Sequence, residues 1–310
     1  MSVAFVFPGQ GSQQVGMMSG FAGHRAVRDT FAEASEALGD DLWKLVDEGP
    51  AEALGLTRNT QPAMLTAGVA VWRAWQAASG RAPAFMAGHS LGEYSALVAA
   101  GALAFRDAVP LVRFRAEAMQ DAVAAGVGAM AAVIGADDAA VAEACREAAQ
   151  GEVVEPVNYN APGQIVIAGT KAGIERAIDV AKQRGKRAIP LPVSAPFHCE
   201  LMKPAEERLK PVLDDAHLKD LWFSVVSNVD ASPIGTATAV RNALVRQVAS
   251  PVRWVESVQK MVSMGVKRFV EIGPGNVLTG LIKRIDRSVE LINVSDVASL
   301  EAFVQKAAVQ

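Results

Sequence analysis

The chain has 310 residues, 51% of them hydrophobic, which is enough for one large core or for a domain carrying a smaller insertion. Its 30 basic and 33 acidic side chains leave a net charge of −3, and this near balance excludes a nucleic-acid binder, which needs a basic excess on one face. Two cysteines, Cys145 and Cys199, exclude a disulfide framework, and no Cys/His cluster has zinc-ligand spacing.

From the N-terminus, residues 1–8 show neither the basic stretch nor the small-residue cleavage site of a secretory leader, and 3–7 reads as a short strand. The glycine loop Phe7-Pro8-Gly9-Gln10-Gly11-Ser12-Gln13 follows. A dinucleotide fingerprint would need glycine at position 14, where Gln14 stands. The loop is then either a tight turn or a device that aims a backbone N–H at an oxyanion, with Gln10 as donor. Helical periodicity runs over 27–38 and 62–78, and 84–87 reads as a buried strand. The longest uncharged stretches, 63–72 and 94–105, are too short to cross a bilayer. A cytoplasmic protein that does not bind membranes is the expectation.

After the strand at 84–87 comes Gly88-His89-Ser90-Leu91-Gly92, with a helix expected over about 92–100. Gly-x-Ser-x-Gly between strand and helix sets the serine on a strained turn, its hydroxyl projecting at the C-terminal edge of the sheet. The helix N-terminus behind it favours the negative charge of a tetrahedral intermediate. Ser90 is the candidate nucleophile. The next helix, 107–123, places Arg113 four residues before Glu117 as an exposed pair, and sets Arg115 on the apolar stripe between Leu111 and Met119. A buried guanidinium needs an anion. Its partner is either a carboxylate from elsewhere in the chain or a substrate carboxylate held by the planar fork.

The middle of the chain reads strand 129–134, helix 139–149, strands 153–158 and 164–169, helix 171–185 and strand 187–192. This βαββαβ order predicts a ferredoxin-like subdomain inserted at 126–193, between 1–125 and 194–310 of a large catalytic domain. Strands at 223–227 and 268–272 and a helix at 252–264 continue the alternation of the first part. The expected fold is α/β, with a hydrolase-like core, a mostly parallel sheet and helices on both faces. Beyond Ser288 the sequence gives no reading.

A serine nucleophile needs a base, and four histidines are available. His89 adjoins Ser90 on a tight turn and reads as ordering it; His24 and His217 lie in polar stretches that water reaches. His198, on the proline-stiffened loop leaving the insertion, is the candidate base. No acid follows in the order of a hydrolase triad, which leaves a backbone carbonyl as the alternative acceptor behind it.

Five segments, Phe7 to Gln13, Gly88 to Glu93, Pro156-Val157-Asn158-Tyr159-Asn160-Ala161-Pro162-Gly163-Gln164, His198 and Glu271-Ile272-Gly273-Pro274-Gly275, occur in one order along nearly the whole chain. In this the chain resembles the malonyl-CoA:acyl carrier protein transacylases of type II fatty acid synthesis and, more widely, the acyltransferase domains of polyketide synthases. The resemblance implies a ping-pong transfer through a malonyl-serine, with Ser90 as nucleophile, His198 as base and the N–H groups of Gln10 and Leu91 as oxyanion hole. It implies Arg115 as partner of the malonyl carboxylate and the Gln247 carbonyl as the group that orients His198. Malonyl-CoA and acyl carrier protein are the implied partners, with a small lobe closing over the site; no metal, no resident cofactor and a monomeric chain are expected. Asn160 and Gln164 are expected to back the site or touch substrate. Lys186 and Arg187 are expected to meet coenzyme A phosphates or an acidic carrier protein, a solvated charge run being the alternative. Phe197, where some family members carry a small polar residue, is expected to narrow the acyl pocket. One rival reading is a serine hydrolase, for which a carboxylate clamp at Arg115 has no use; another is a catalytically silent subunit that sequesters carrier protein and would take no acyl label on Ser90.

Overall fold

The computed structural model describes residues 2–193 and 195–308; Ser194, at the expected lobe boundary, lies outside them. The first part of the chain gives β1 (Ser2–Phe7), α1 (Arg25–Leu38), α2 (Leu42–Glu48), α3 (Ala51–Gly55), α4 (Thr57–Ala78), β2 (Phe85–Gly88), α5 (Gly92–Ala99) and α6 (Phe105–Asp121). The middle gives β3 (Gly128–Ile134), α7 (Asp138–Ala149), β4 (Val154–Ala161), β5 (Gln164–Thr170), α8 (Lys171–Gln183) and β6 (Arg187–Pro190). The last part gives α9 (Lys203–Asp215), β7 (Ser224–Val226), β8 (Pro233–Ile234), α10 (Ala237–Gln247), α11 (Trp254–Ser263), β9 (Val266–Ile272), α12 (Val277–Ile285), β10 (Glu290–Val294) and α13 (Val297–Ala308).

The architecture is α/β. Six strands form a sheet in the order β10-β9-β1-β2-β7-β8, parallel except for the β7–β8 pair. Alternation along β1 shows why its apolar run is continuous. Phe5 and Phe7 join the cluster on one face, with α1, α4 and α6, while Ala4 and Val6 join the cluster on the other, with α11 and α12. A parallel strand covered on both faces has no polar side to show. Phe7 pairs with Gly88 in register, so the loops after β1 and β2 leave the sheet side by side at its C-terminal edge.

The remaining four strands form a separate antiparallel sheet in the order β4-β5-β3-β6. Period-two alternation gives this sheet two apolar faces as well. Ala131, Val133, Ile165 and Ile167 pack on α7 and α8, whereas Met130, Val166 and Ala168 face the main core. Backbone bonds from Tyr159 N–H to the Val252 carbonyl (3.0 Å) and from Val252 N–H to the Val157 carbonyl (2.8 Å) fasten β4 to the segment before α11. Arg284 on α12 adds a bond to the Pro162 carbonyl (3.1 Å) and another to Gln164 Oε1.

Two expectations differ from the structure here. The helix expected from residue 62 begins at Thr57, so Pro62 lies inside α4 rather than opening it. Asn59 and Thr60 bond back to the carbonyls of Ala53 and Leu54, which holds the earlier turns in place. The unread tail forms edge strand β10 and α13, whose Phe303 stacks on Trp75 at 4.3 Å. Among the described residues no helix is long and apolar enough to cross a membrane.

Candidate active site

The turn after β2 is built for close approach. A Cβ on Gly88 would lie 1.9 Å from the Gly92 carbonyl carbon, and one on Gly92 would lie 2.1 Å from the Phe7 oxygen, so neither position accepts a side chain. Between them Ser90 holds φ at +51°, a left-handed conformation that costs a non-glycine residue about 1–2 kcal/mol and needs support from its surroundings. Asn228, two residues past β7, supplies it: its Oδ1 accepts from Ser90 N–H at 2.7 Å while its Nδ2 donates to the Gly88 carbonyl at 2.6 Å.

His198 arrives from the loop after β6, also at positive φ (+67°), and its Nε2 lies 2.7 Å from Ser90 Oγ. Its Nδ1 lies 2.9 Å from the Gln247 carbonyl at the end of α10. A carbonyl only accepts, so Nδ1 carries the proton, Nε2 presents its lone pair, and the serine hydroxyl donates to it. Burial, reinforced by the charge of Arg115, pushes the imidazole down to about 3, which keeps it neutral with the Nε2 lone pair free.

Arg115 is fully buried on α6. Its Nη1 donates to Gln61 Oε1 (2.8 Å), and its Nη2 donates to Gln247 Oε1 (2.9 Å) and Ser90 Oγ (3.3 Å). The guanidinium also lies 5.4 Å from the centre of the Tyr94 ring. Among the described residues no carboxylate lies within ion-pairing distance, so its partners are neutral amides and a hydroxyl. Of the two alternatives left open by the sequence, the internal ion pair is not what the structure contains. Arg113 also departs from expectation. It is half-buried and pairs with Asp40 at 3.0 Å instead of Glu117, because α6 packs on α1 and brings the residues after α1 within reach.

These groups open into a cavity of about 120 Å³. Gln10, Gln61, Ser90, Leu91, Arg115 and His198 line one wall. Met119, Met130, Leu191, Val193 and Phe197 make the rest largely apolar, with Asn158 as a polar exception whose Oδ1 is buried without a partner.

The other expected site residues separate from this group. Asn160 accepts the contact of His89 Nε2 at 2.7 Å, beneath the elbow, where burial lowers the His89 pKa and the ring leans on Trp254. It therefore backs the turn and does not face the cavity; Asn158 does, on the irregular stretch of β4. Gln164, the first residue of β5, does not line the cavity; its side-chain carbonyl accepts from Arg284. Lys186 edges a different, apolar pocket between α7 and α8, and Arg187 is exposed on edge strand β6. Neither residue lines the serine cavity.

Sequence reasoning missed Gln61, Asn228, Asn158 and Glu93. Only Glu93 left a signal, as the one charge in the apolar stretch 92–105. It is fully buried, its Oε2 accepting from Gln247 Nε2 (2.7 Å) and Asn228 N–H (3.1 Å), and burial raises its pKa to about 7.

The Acyl transferase domain model matches residues 4–303. Malonyl CoA-acyl carrier protein transacylase of Escherichia coli K12 is 57% identical over 284 residues, 91% of this chain and 92% of the relative; that of Bacillus subtilis 168 is 50% identical over 306 residues, 98% and 96%. Among solved structures, an acyl-carrier-protein S-malonyltransferase from Burkholderia pseudomallei 1710b superposes with a TM-score of 0.97 at 57% identity, covering 98% of this chain and all of the other. A malonyl-transacylase solved in complex with a type II PKS acyl-carrier protein gives 0.97 at 51% identity, covering 99% and 100%. With a family model spanning nearly its whole length and relatives this similar, the chain belongs to the acyl transferase domain family.

Proposed function

We propose that the chain transfers the malonyl group from malonyl-CoA to the phosphopantetheine thiol of acyl carrier protein by a ping-pong mechanism, supplying extender units for fatty acid synthesis in the cytoplasm as a monomer. The observation that carries this reading is Arg115, a buried guanidinium with only neutral partners, one nitrogen of which lies 3.3 Å from Ser90 Oγ. Such a cation has no carboxylate in direct contact, and an acyl group ending in a carboxylate brings one to the right place.

With that carboxylate on Arg115, the thioester carbonyl lies over Ser90. His198 Nε2 takes the hydroxyl proton as Oγ attacks, and the N–H groups of Gln10 and Leu91 receive the oxyanion. The C–S bond breaks, and the imidazolium returns its proton to the coenzyme A thiolate. In the second half the carrier thiol gives its proton to His198, its sulfur attacks the serine ester, and Ser90 regains a proton from Nε2 as the malonyl thioester leaves. Each step uses groups of this chain, the thioester and the carrier thiol, and no metal or resident cofactor is assigned. Residues 126–193 act as a ferredoxin-like subdomain inserted in a catalytic domain formed by 1–125 and 194–310. Their inner face, with Met130 and Asn158, roofs the serine and keeps water from the ester.

The test is acylation without acceptor. Malonyl-CoA should label one site per chain in a burst, with release of one equivalent of coenzyme A, and Ser90→Ala should abolish the label. A chain that turns over malonyl-CoA with no covalent adduct, or labels elsewhere, overturns the proposal.

A further inference from the structure

We propose that Glu93 is a positioning residue that acts through Gln247 to aim Arg115 at the acyl site, and that it is the internal anion with which a substrate carboxylate competes for that guanidinium. The inference rests on the malonyl-transfer reading above.

The orientation of the Gln247 amide carries the first half. Its NH2 group donates to the Ser90 carbonyl (3.1 Å) and to Glu93 Oε2 (2.7 Å), which also accepts from Asn228 N–H (3.1 Å) and so stays an acceptor whether or not Oε1 carries a proton. The amide carbonyl must then face the other way, where it accepts from Arg115 Nη2 at 2.9 Å. A flipped amide would set NH2 against the guanidinium and oxygen against the carboxylate. The main-chain carbonyl of the same residue receives His198 Nδ1–H. One glutamine thus holds the base by its backbone and the clamp by its side chain, and Glu93 decides which way that side chain points.

Charge carries the second half. Arg115 and Glu93 are both fully buried and sit on opposite ends of one amide, without direct contact. Glu93 Oε1 has no hydrogen-bond partner, so the carboxylate is under-compensated where it stands. The ionisable groups that act on it are Arg115 from α6, Tyr94 on its own helix, Asp230 after β7 and Arg246 on α10. Of these, Arg115 is the buried cation, and it favours the ionised carboxylate. A malonyl carboxylate arriving on Arg115 takes part of that attraction away. Its binding therefore favours the protonated form of Glu93. The sign follows: binding is tighter below the Glu93 transition, near pH 7, and weaker above it.

Two variants separate the halves. Glu93→Gln can place its carbonyl where Oε2 lies, accepting from Gln247 and Asn228, and its NH2 where Oε1 has no partner; it keeps the orientation and removes the charge. Glu93→Leu leaves both donors unpaired and frees the amide to turn. The readout is the half-saturating malonyl-CoA concentration for Ser90 acylation between pH 6 and 8. Acetyl-CoA, which carries the same phosphates and no carboxylate, serves as competitive inhibitor for comparison. In the parent that concentration should rise about tenfold with pH while acetyl-CoA inhibition stays level. Glu93→Gln should remove the rise, and Glu93→Leu should lose about 100-fold or more in acylation rate, most of which Glu93→Gln recovers. A malonyl-CoA response in Glu93→Gln that still follows the parent's pH curve, or acetyl-CoA moving in parallel with it, overturns the proposal. Failure of the underlying reading would show differently, as absence of malonyl label on Ser90 in the parent.

Discussion

The two walls of the cavity differ in kind. One wall is polar and densely hydrogen-bonded: Ser90, His198 and Arg115 line it and Gln247 lies behind them, linked by contacts of 3.3 Å or less. The wall supplied by the small sheet and the segment leaving it is apolar, made of Met130, Leu191, Val193 and Phe197, with Asn158 as its polar point. Fixed dipoles stabilise developing charge best where water is excluded. One wall carries the dipoles and the other excludes the water. Substitutions in the first should change how fast bonds form, and substitutions in the second should change which acyl groups fit and how long the ester survives.

The largest effect expected is at the base. His198→Ala should slow acylation of Ser90 by about 10³–10⁴-fold with little change in malonyl-CoA affinity, read from single-turnover burst rates. Arg115→Ala comes next. It removes charge-assisted bonds to one substrate class, so malonyl transfer should fall by about 100-fold while acetyl transfer changes only a few-fold, measured as kcat/KM for the two thioesters. Equal losses for both would make Arg115 a structural residue and erase the contrast between walls. On the apolar side, Phe197→Ser should widen the pocket and shift preference toward a branched carboxylated acyl group by about tenfold, seen in direct competition of two acyl-CoAs.

The smallest effect expected concerns pH. Because burial and Arg115 hold His198 down to about 3, the burst rate at saturating malonyl-CoA should show no falling limb on going from pH 8 to pH 5. A limb near 6.5 would mean that the ring is solvated and that the second wall does not close the site.

The elements that carry chemistry were the most legible in the sequence. Gly88, Ser90 and Gly92 declare a turn that side chains cannot enter, and a proline-rich loop leaves His198 as the one base with a fixed approach. The βαββαβ order was legible for a related reason: its short strands alternate cleanly because the sheet packs on α7 and α8 on one face and on the main core on the other. What escaped is long-range. Gln61 reaches Arg115 because α4 starts at Thr57, five residues before the proline that reads as its start. Asp40, rather than the neighbour one turn away, holds Arg113. Gln164 and Arg187 begin strands and Lys186 precedes one, at positions whose place in the fold local spacing does not set, and none of the three lines the serine cavity. Glu93 was visible only as an isolated charge; its meaning depends on Gln247, 154 positions away.

Ser90 as a temporary carrier of malonyl is the claim on which the contrast between walls depends, and the fate of that ester tests it most directly. The malonyl-enzyme can be isolated free of malonyl-CoA and divided between buffer and holo-acyl carrier protein, with the label followed by intact mass. The account predicts a stable ester in buffer and stoichiometric passage of malonyl to the carrier thiol. Loss of the label to water at the same rate with or without carrier would contradict it and make the chain a hydrolase.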